Sequence, residues 1–163
     1  MRFKYKKKPK QADERQVFQY ACWLLARRNY SRAELLEKFE KKYIPDAAVF
    51  AKVFAKLTKL NLQSDESFTE GFVRAHTHWG ARRISIELKR RGIDEELIEI
   101  NLPTEISEIE NAREVLARKL HTSTSSVQAG EKIPSEYSEK QKLAAFLARR
   151  GFSIDVIREV LGF

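Results

Sequence analysis

With Cys22 as its only cysteine, the chain cannot close a disulfide within itself, and a reducing compartment is the default. The N-terminus lacks the apolar run that a signal peptide or membrane span needs, so the expected setting is the cytoplasm, away from membranes. Patterns for catalysis and metal binding are also scarce. His76 and His78 stand two apart, which on a helix points their rings about 200° away from each other, and His121 stands alone. No glycine loop suited to phosphate is present. Cys22 falls on the apolar side of the first helix beside Phe18 and Leu25, the place of a small buried hydrophobe rather than a nucleophile. No enzyme activity, cofactor or metal is expected.

What the chain does have is one apolar ladder written three times. Take Tyr43, Gly92 and Gly151 as origins. Eight residues earlier stand Leu35, Ile84 and Leu143, and four earlier stand Phe39, Leu88 and Leu147. One residue on are Ile44, Ile93 and Phe152, six on are Val49, Ile98 and Ile157, and ten on are Val53, Leu102 and Leu161. Steps of four on both sides of a turn describe two amphipathic helices packed together. Such a pair cannot bury its stripe alone, so three in series predict a stacked helical array.

Start and stop signals fill in the rest. A first helix is expected over Asp13–Arg28, with Val17, Ala21, Leu24 and Leu25 on one face. Ser31 with Glu34, Ser67 with Glu70 and Ser107 with Glu110 read as capping boxes. Pro45 and Asp46 open a helix bearing Val49, Val53, Leu57 and Leu60, and Phe68, Phe72, Ala75 and Trp79 form the stripe of the fourth helix. Ser138 with Gln141 caps the eighth helix and Ser153 starts the ninth. The stretch 122–137 has no sustained period and reads as a loop. No segment alternates as a strand would. The expected class is all-α: three three-helix modules over 13–62, 63–102 and 103–163, behind a basic tail over 1–12.

Charge is the second informative feature. Of the net +8, Arg2, Lys4, Lys6, Lys7, Lys8 and Lys10 crowd the tail, which suits any polyanion or merely aids solubility. The run from Ile93 to Asn111 holds acids but no base, and most of these sit at helix starts, where the dipole favours them. In the fifth helix Arg82, Arg83, Lys89 and Arg90 are related by steps of seven and share one face, roughly opposite Ile84 and Leu88. The pairs Arg27–Arg28, Lys41–Lys42, Arg90–Arg91 and Arg149–Arg150 close helices, where the dipole alone accounts for cations. It does not account for Arg82 and Arg83 at a helix start. Something anionic is expected there, a phosphate backbone or an acidic protein surface. Trp23 and Trp79 lie on apolar stripes and are expected in the core rather than under bases.

Three segments resemble one bacterial family, the RecX regulators of the RecA recombinase. The string from Phe146 through Arg149, Arg150, Gly151 and Phe152 to Leu161 is similar to that family's end. Leu24–Arg28 followed by Ser31–Leu35 resembles its first module; Asp65–Phe68, Phe72, Gly80–Ile84, Glu87–Leu88 and Gly92–Ile93 resemble its second. The likeness spans residues 15–163, and its motifs fall in family order on the repeat already derived. It implies a curved, elongated array of three-helix modules that binds the RecA filament on single-stranded DNA, lies in its groove, and restrains ATP hydrolysis, strand exchange and co-protease action. It also implies some affinity for single- and double-stranded DNA. The filament- and DNA-contacting residues expected on this basis are Arg82, Arg83, Lys89, Arg90, Arg149, Arg150, Arg27 and Arg28, in a monomer. At Tyr43 a left-handed turn would be costly, so the first turn is expected to differ from the two at glycine. Two other readings stay open at this level. One is a helix-turn-helix-type DNA-binding transcriptional regulator; the other is a protein-only helical scaffold.

Overall fold

A computed structural model describes residues 10–11, 13–123 and 137–163, and every regular element among them is a helix. These are α1 (Glu14–Leu25), α2 (Arg32–Lys42), α3 (Ala47–Lys59), α4 (Asp65–Ala75), α5 (Ala81–Arg90), α6 (Glu95–Asn101), α7 (Glu105–Ser123), α8 (Tyr137–Arg149) and α9 (Ile154–Leu161). The expected all-α repeat class is the one observed. The basic tail lies largely outside the described residues, as does most of the 122–137 stretch, whose two ends, Thr122 and Tyr137, belong to α7 and α8. By its contacts the described chain falls into two compact units, Met1–Thr69 with Arg91–Asp94, and Glu70–Arg90 with Glu95–Phe163.

In the first unit α1 and α2 both pack on α3. Asp13 caps α1 by accepting the Gln16 amide at 3.2 Å, and Val17, Ala21 and Leu24 follow at steps of three and four toward the interior. Ser31 and Glu34 form the full capping box of α2, and Asp46 caps α3 through the Val49 amide at 3.0 Å. Phe39 stands fully buried between Phe50 and Phe54, each ring 5.5 Å away between centroids. Burying one such side chain is worth roughly 1.5–3 kcal/mol, so this aromatic cluster rather than local propensity holds the three helices.

In the second unit α9 packs on α7 and α8, around Leu116, Leu147, Val156 and Leu161, and α5 packs on α6. Ser153 caps α9 through the Val156 amide at 3.2 Å.

Before each turn the ladder holds: Leu35, Ile84 and Leu143 are buried, as are Phe39, Leu88 and Leu147. Beyond it the first copy departs. Ile93 and Phe152 are buried, but Ile44 is 52% exposed. The cause is backbone geometry. Gly92 and Gly151 turn through positive φ, +72° and +87°, whereas Tyr43 is extended at φ −119° and itself points inward. The Tyr43 segment pairs with Lys10 instead, which donates to the Lys42 carbonyl at 3.1 Å and accepts the Ile44 amide at 2.7 Å. Phe50 then takes the buried place and Val49 only part of it.

Several boundaries differ from expectation. Ser67 and Ser107 lie inside their helices; the caps are Ser64 and Thr104, which accept the Ser67 and Ser107 amides at 3.2 and 3.3 Å. Each serine is preceded, three residues back, by another hydroxyl residue, and that earlier one does the capping. Ser138 lies inside α8. The first helix stops at Leu25, leaving Arg27 and Arg28 in the turn that follows. Leu60 is exposed at the end of α3. Trp79 is not on α4, which ends at Ala75; residues 76–78 form a turn, and the His76 ring bonds the Phe72 carbonyl at 2.7 Å and stacks on the Phe72 ring. His76 and His78 therefore do not diverge as on a helix: their rings lie 5.8 Å apart.

Candidate functional site

Two joints of the same design position the basic residues. In the first unit the turn after α5 sits on the start of α2. The fully buried Ser31 hydroxyl donates to the Arg91 carbonyl at 2.7 Å, Glu34 reaches the Arg91 guanidinium at 3.7 Å, and a Cβ on Gly92 would stand 2.5 Å from that of Ala33. In the second unit the turn after α8 sits on the start of α5. The Gly80 amide donates to the Arg150 carbonyl at 2.9 Å, and a Cβ on Gly151 would stand 2.5 Å from that of Arg83. Gly80 is equally confined, since a Cβ there would collide with the backbone of Gly151 and Phe152. Glycine is required at both turns for φ and for close approach alike.

The start of α5 also answers the charge puzzle. Glu108 of α7, 7% exposed, presents a carboxylate oxygen 3.0 Å from the Ala81 amide. A buried anion on a helix N-terminus offsets the positive end of the dipole and compensates the neighbouring arginines. The anion expected for Arg82 and Arg83 is thus present within the chain, and no external one is required for these residues to sit there.

The eight candidate cations are not equivalent. Arg27 lies over the Trp23 ring at 3.8 Å, Arg83 over Trp79 at 4.2 Å and Arg150 over Phe146 at 3.9 Å. All three pairs are an arginine four residues after an aromatic residue, a spacing present in the sequence. Arg28 lies over Tyr30 at 3.7 Å and meets Glu34 at 3.3 Å. Lys89 pairs with Glu95, and Arg90 with Glu87 at 3.4 Å; these pairs are exposed and contribute little to stability. Arg82 and Arg149 are exposed and carry no ion pair or ring contact among the described residues.

Of the candidates, the structure brings Arg83 and Arg150 together, at the Gly80–Gly151 joint beside the His76, His78 and Trp79 rings. Their field is felt at His78, whose pKa is lowered by partial burial first, and then by His76, Arg150, Arg83 and Arg118. This is a positive, aromatic-edged patch suited to a polyanion. Lys10, Lys42 and the exposed Trp23 were not among the candidates. Trp23 is 50% exposed and stacks on Tyr20 at 6.0 Å, so it is not core.

Helices alone, joined by repeated turn-on-helix contacts, with no group of three or more His, Cys, Asp or Glu placed for a metal among the described residues, define a protein of the helical-repeat class. Residues 64–101 match the family described as RecX, second three-helix domain, and residues 106–161 match RecX, third three-helix domain. Regulatory protein RecX of Stenotrophomonas maltophilia (strain R551-3) is 38% identical over 148 residues, covering 89% of this chain and 85% of that protein. Its counterpart from Chromobacterium violaceum is 34% identical over 145 residues, covering 86% of each. The crystal structure of RecX from Lactobacillus salivarius matches with a TM-score of 0.75 over 91% of this chain and 94% of that one; at 24% identity it bears on the fold. The chain belongs to the RecX family of regulatory proteins.

Proposed function

We propose that the chain binds the RecA filament on single-stranded DNA in the bacterial cytoplasm and restrains its ATP hydrolysis, strand exchange and co-protease action, and so acts in recombination, DNA repair and the SOS response. The observation that carries this reading is membership of a regulatory family along nearly nine tenths of the chain. The mode of action needs no catalysis, cofactor or metal. With three helical modules, over 13–62, 63–102 and 103–163 of a single monomer, several weak contacts to successive protomers act together as one long-lived clamp.

The contacts fall to exposed cations. Arg82 and Arg149 are open to a partner, while Arg83 and Arg150, held on aromatic rings, supply field rather than reach. DNA attraction follows from the same positive surface and is salt-sensitive.

Retention on immobilised single-stranded DNA, with and without preassembled RecA at the same salt, tests the reading. Retention that depends on RecA supports it. Equal retention without RecA, or a preference for one particular duplex, contradicts it.

A further inference from the structure

In the first unit an open groove of about 420 Å³ runs along α1 beside the Lys10–Tyr43 bridge. Among the described residues it is lined by the rings of Tyr20, Trp23 and Tyr43, with Lys10, Lys42 and two glutamines. Its size is that of a site for one ring-sized ligand. Trp23 is half exposed and lies nearly parallel to Tyr20, with 19° between the rings. Tyr43 is fixed from behind, its hydroxyl donating to the Gln16 carbonyl at 3.3 Å.

Among the described residues the charged side chains that line the groove are the two lysines. The Lys42 ammonium lies 3.4 Å over the Tyr20 ring, and the Arg27 guanidinium lies 3.8 Å over Trp23. Burial lowers the Lys42 pKa, and the neighbouring Lys10 lowers it further, so two like charges are held close. No carboxylate lines the groove among the described residues. Asp13, the acid that acts on Tyr43, is occupied at the Gln16 amide as the cap of α1. A half-exposed indole on a stacked partner, rimmed by cations without acids, is the composition that takes bases and phosphates together.

We infer that this groove is a stacking site for single-stranded DNA, in which a base takes the place of the exposed Arg27 guanidinium over the Trp23 ring and the adjoining phosphates lie at Lys10 and Lys42. The site deepens the DNA-contact part of the proposed function, and the choice of DNA over RNA rests on that reading; the stacking does not. It lies apart from Arg82 and Arg149 in sequence and gives the chain a hold on the strand that needs no recombinase.

The test uses the full chain with a labelled oligo(dT), an abasic strand of equal length, and no RecA in the sample. Trp23→Ala is expected to weaken oligo(dT) binding by roughly 5- to 150-fold, the range for one stacked base, and to leave binding of the abasic strand unchanged. Trp23 is half exposed, so its removal leaves the core intact, which circular dichroism checks. In a Trp79→Phe chain, oligo(dT) quenches the remaining Trp23 fluorescence and the abasic strand does not. Lys10→Gln with Lys42→Gln flattens the slope of log affinity against log salt by about 1.4, two single-strand phosphate contacts. Unchanged oligo(dT) affinity in Trp23→Ala, or equal quenching by the abasic strand, overturns the site. Either result leaves RecA inhibition, measured separately, untouched.

Discussion

The Gly80 amide donates to the Arg150 carbonyl oxygen at 2.9 Å, and this bond closes the joint that seats the turn after α8 on the start of α5. The Ser31 hydroxyl and the Arg91 carbonyl do the same for the turn after α5 on the start of α2, at 2.7 Å. Arg91 and Arg150 hold one place in the repeat, each a residue before a glycine of positive φ. Each joint thus rests on one donor and one carbonyl oxygen, and the consequences are specific.

Gly151→Ala adds a methyl group against Arg83 and forces an alanine to φ +87°. The backbone conformation alone costs about 1–3 kcal/mol. The unfolding free energy, read from the urea midpoint, is expected to fall by at least that much, and Gly92→Ala to behave alike. An unchanged midpoint for both would mean that the turns do not depend on glycine.

Ser31→Ala removes a cap and leaves the Arg91 carbonyl without its partner in a fully buried place. The expected loss is about 1–3 kcal/mol, read from equilibrium denaturation. Ser153→Ala, which loses a cap without a joint, is expected to cost less.

Glu108→Ala takes the buried carboxylate from the start of α5, leaving the Ala81 amide unpaired and Arg82 and Arg83 uncompensated. A loss of about 1–3 kcal/mol is expected. Glu108→Gln keeps a hydrogen-bond acceptor but not the charge. Its stability is expected to lie between the two, and equality with the parent chain would show that the charge is idle.

Arg82→Glu with Arg149→Glu is expected to abolish RecA inhibition while leaving the unfolding free energy within about 0.5 kcal/mol, because both side chains are exposed and unpaired among the described residues. Reversal of Arg83 and Arg150 is expected to lower stability as well, since their contacts with Trp79 and Phe146 are lost. Intact inhibition in the first double variant would remove those arginines from the interface.

The lowered His78 pKa has a definite sign in the pH dependence. Below about pH 6.5, the ordinary histidine value, the unfolded chain takes up a proton that the folded chain resists, so stability falls as pH drops through the window from that value to the folded pKa. His78 is largely exposed, so the slope is shallow. His78→Asn is expected to flatten it. A polyanion bound at the patch reverses the field of Arg83 and Arg150, and the His78 pKa, followed by proton resonance, is expected to rise on binding.

The ladder was legible because its positions answer to one constraint. Phe39, Leu88 and Leu147 must all face inward one helical turn before a bend, and any polar residue there would open the core. The helix starts were less legible, since Ser64 and Ser67, or Thr104 and Ser107, offer two hydroxyls three residues apart, and only the backbone decides which one caps. Trp79 continues the spacing of Phe68, Phe72 and Ala75, yet the turn at His76 ends the helix before it. Of the candidate interface, the cations were legible but not their partners. Glu108 lies 27 residues from Ala81, a distance no periodicity bridges, whereas the aromatic residue four places before Arg27, Arg83 and Arg150 was in plain sight. The Trp23 groove depends on Lys10 reaching Tyr43, a contact absent from any helical pattern.

Regulation of the filament is read from ATP hydrolysis by RecA preassembled on single-stranded DNA as this chain is titrated in, with binding to bare DNA followed at the same salt. Inhibition is expected at concentrations too low to occupy free DNA, and loss of that inhibition with Arg82→Glu and Arg149→Glu. Undiminished hydrolysis up to concentrations that coat the DNA would show that the chain does not restrain the filament.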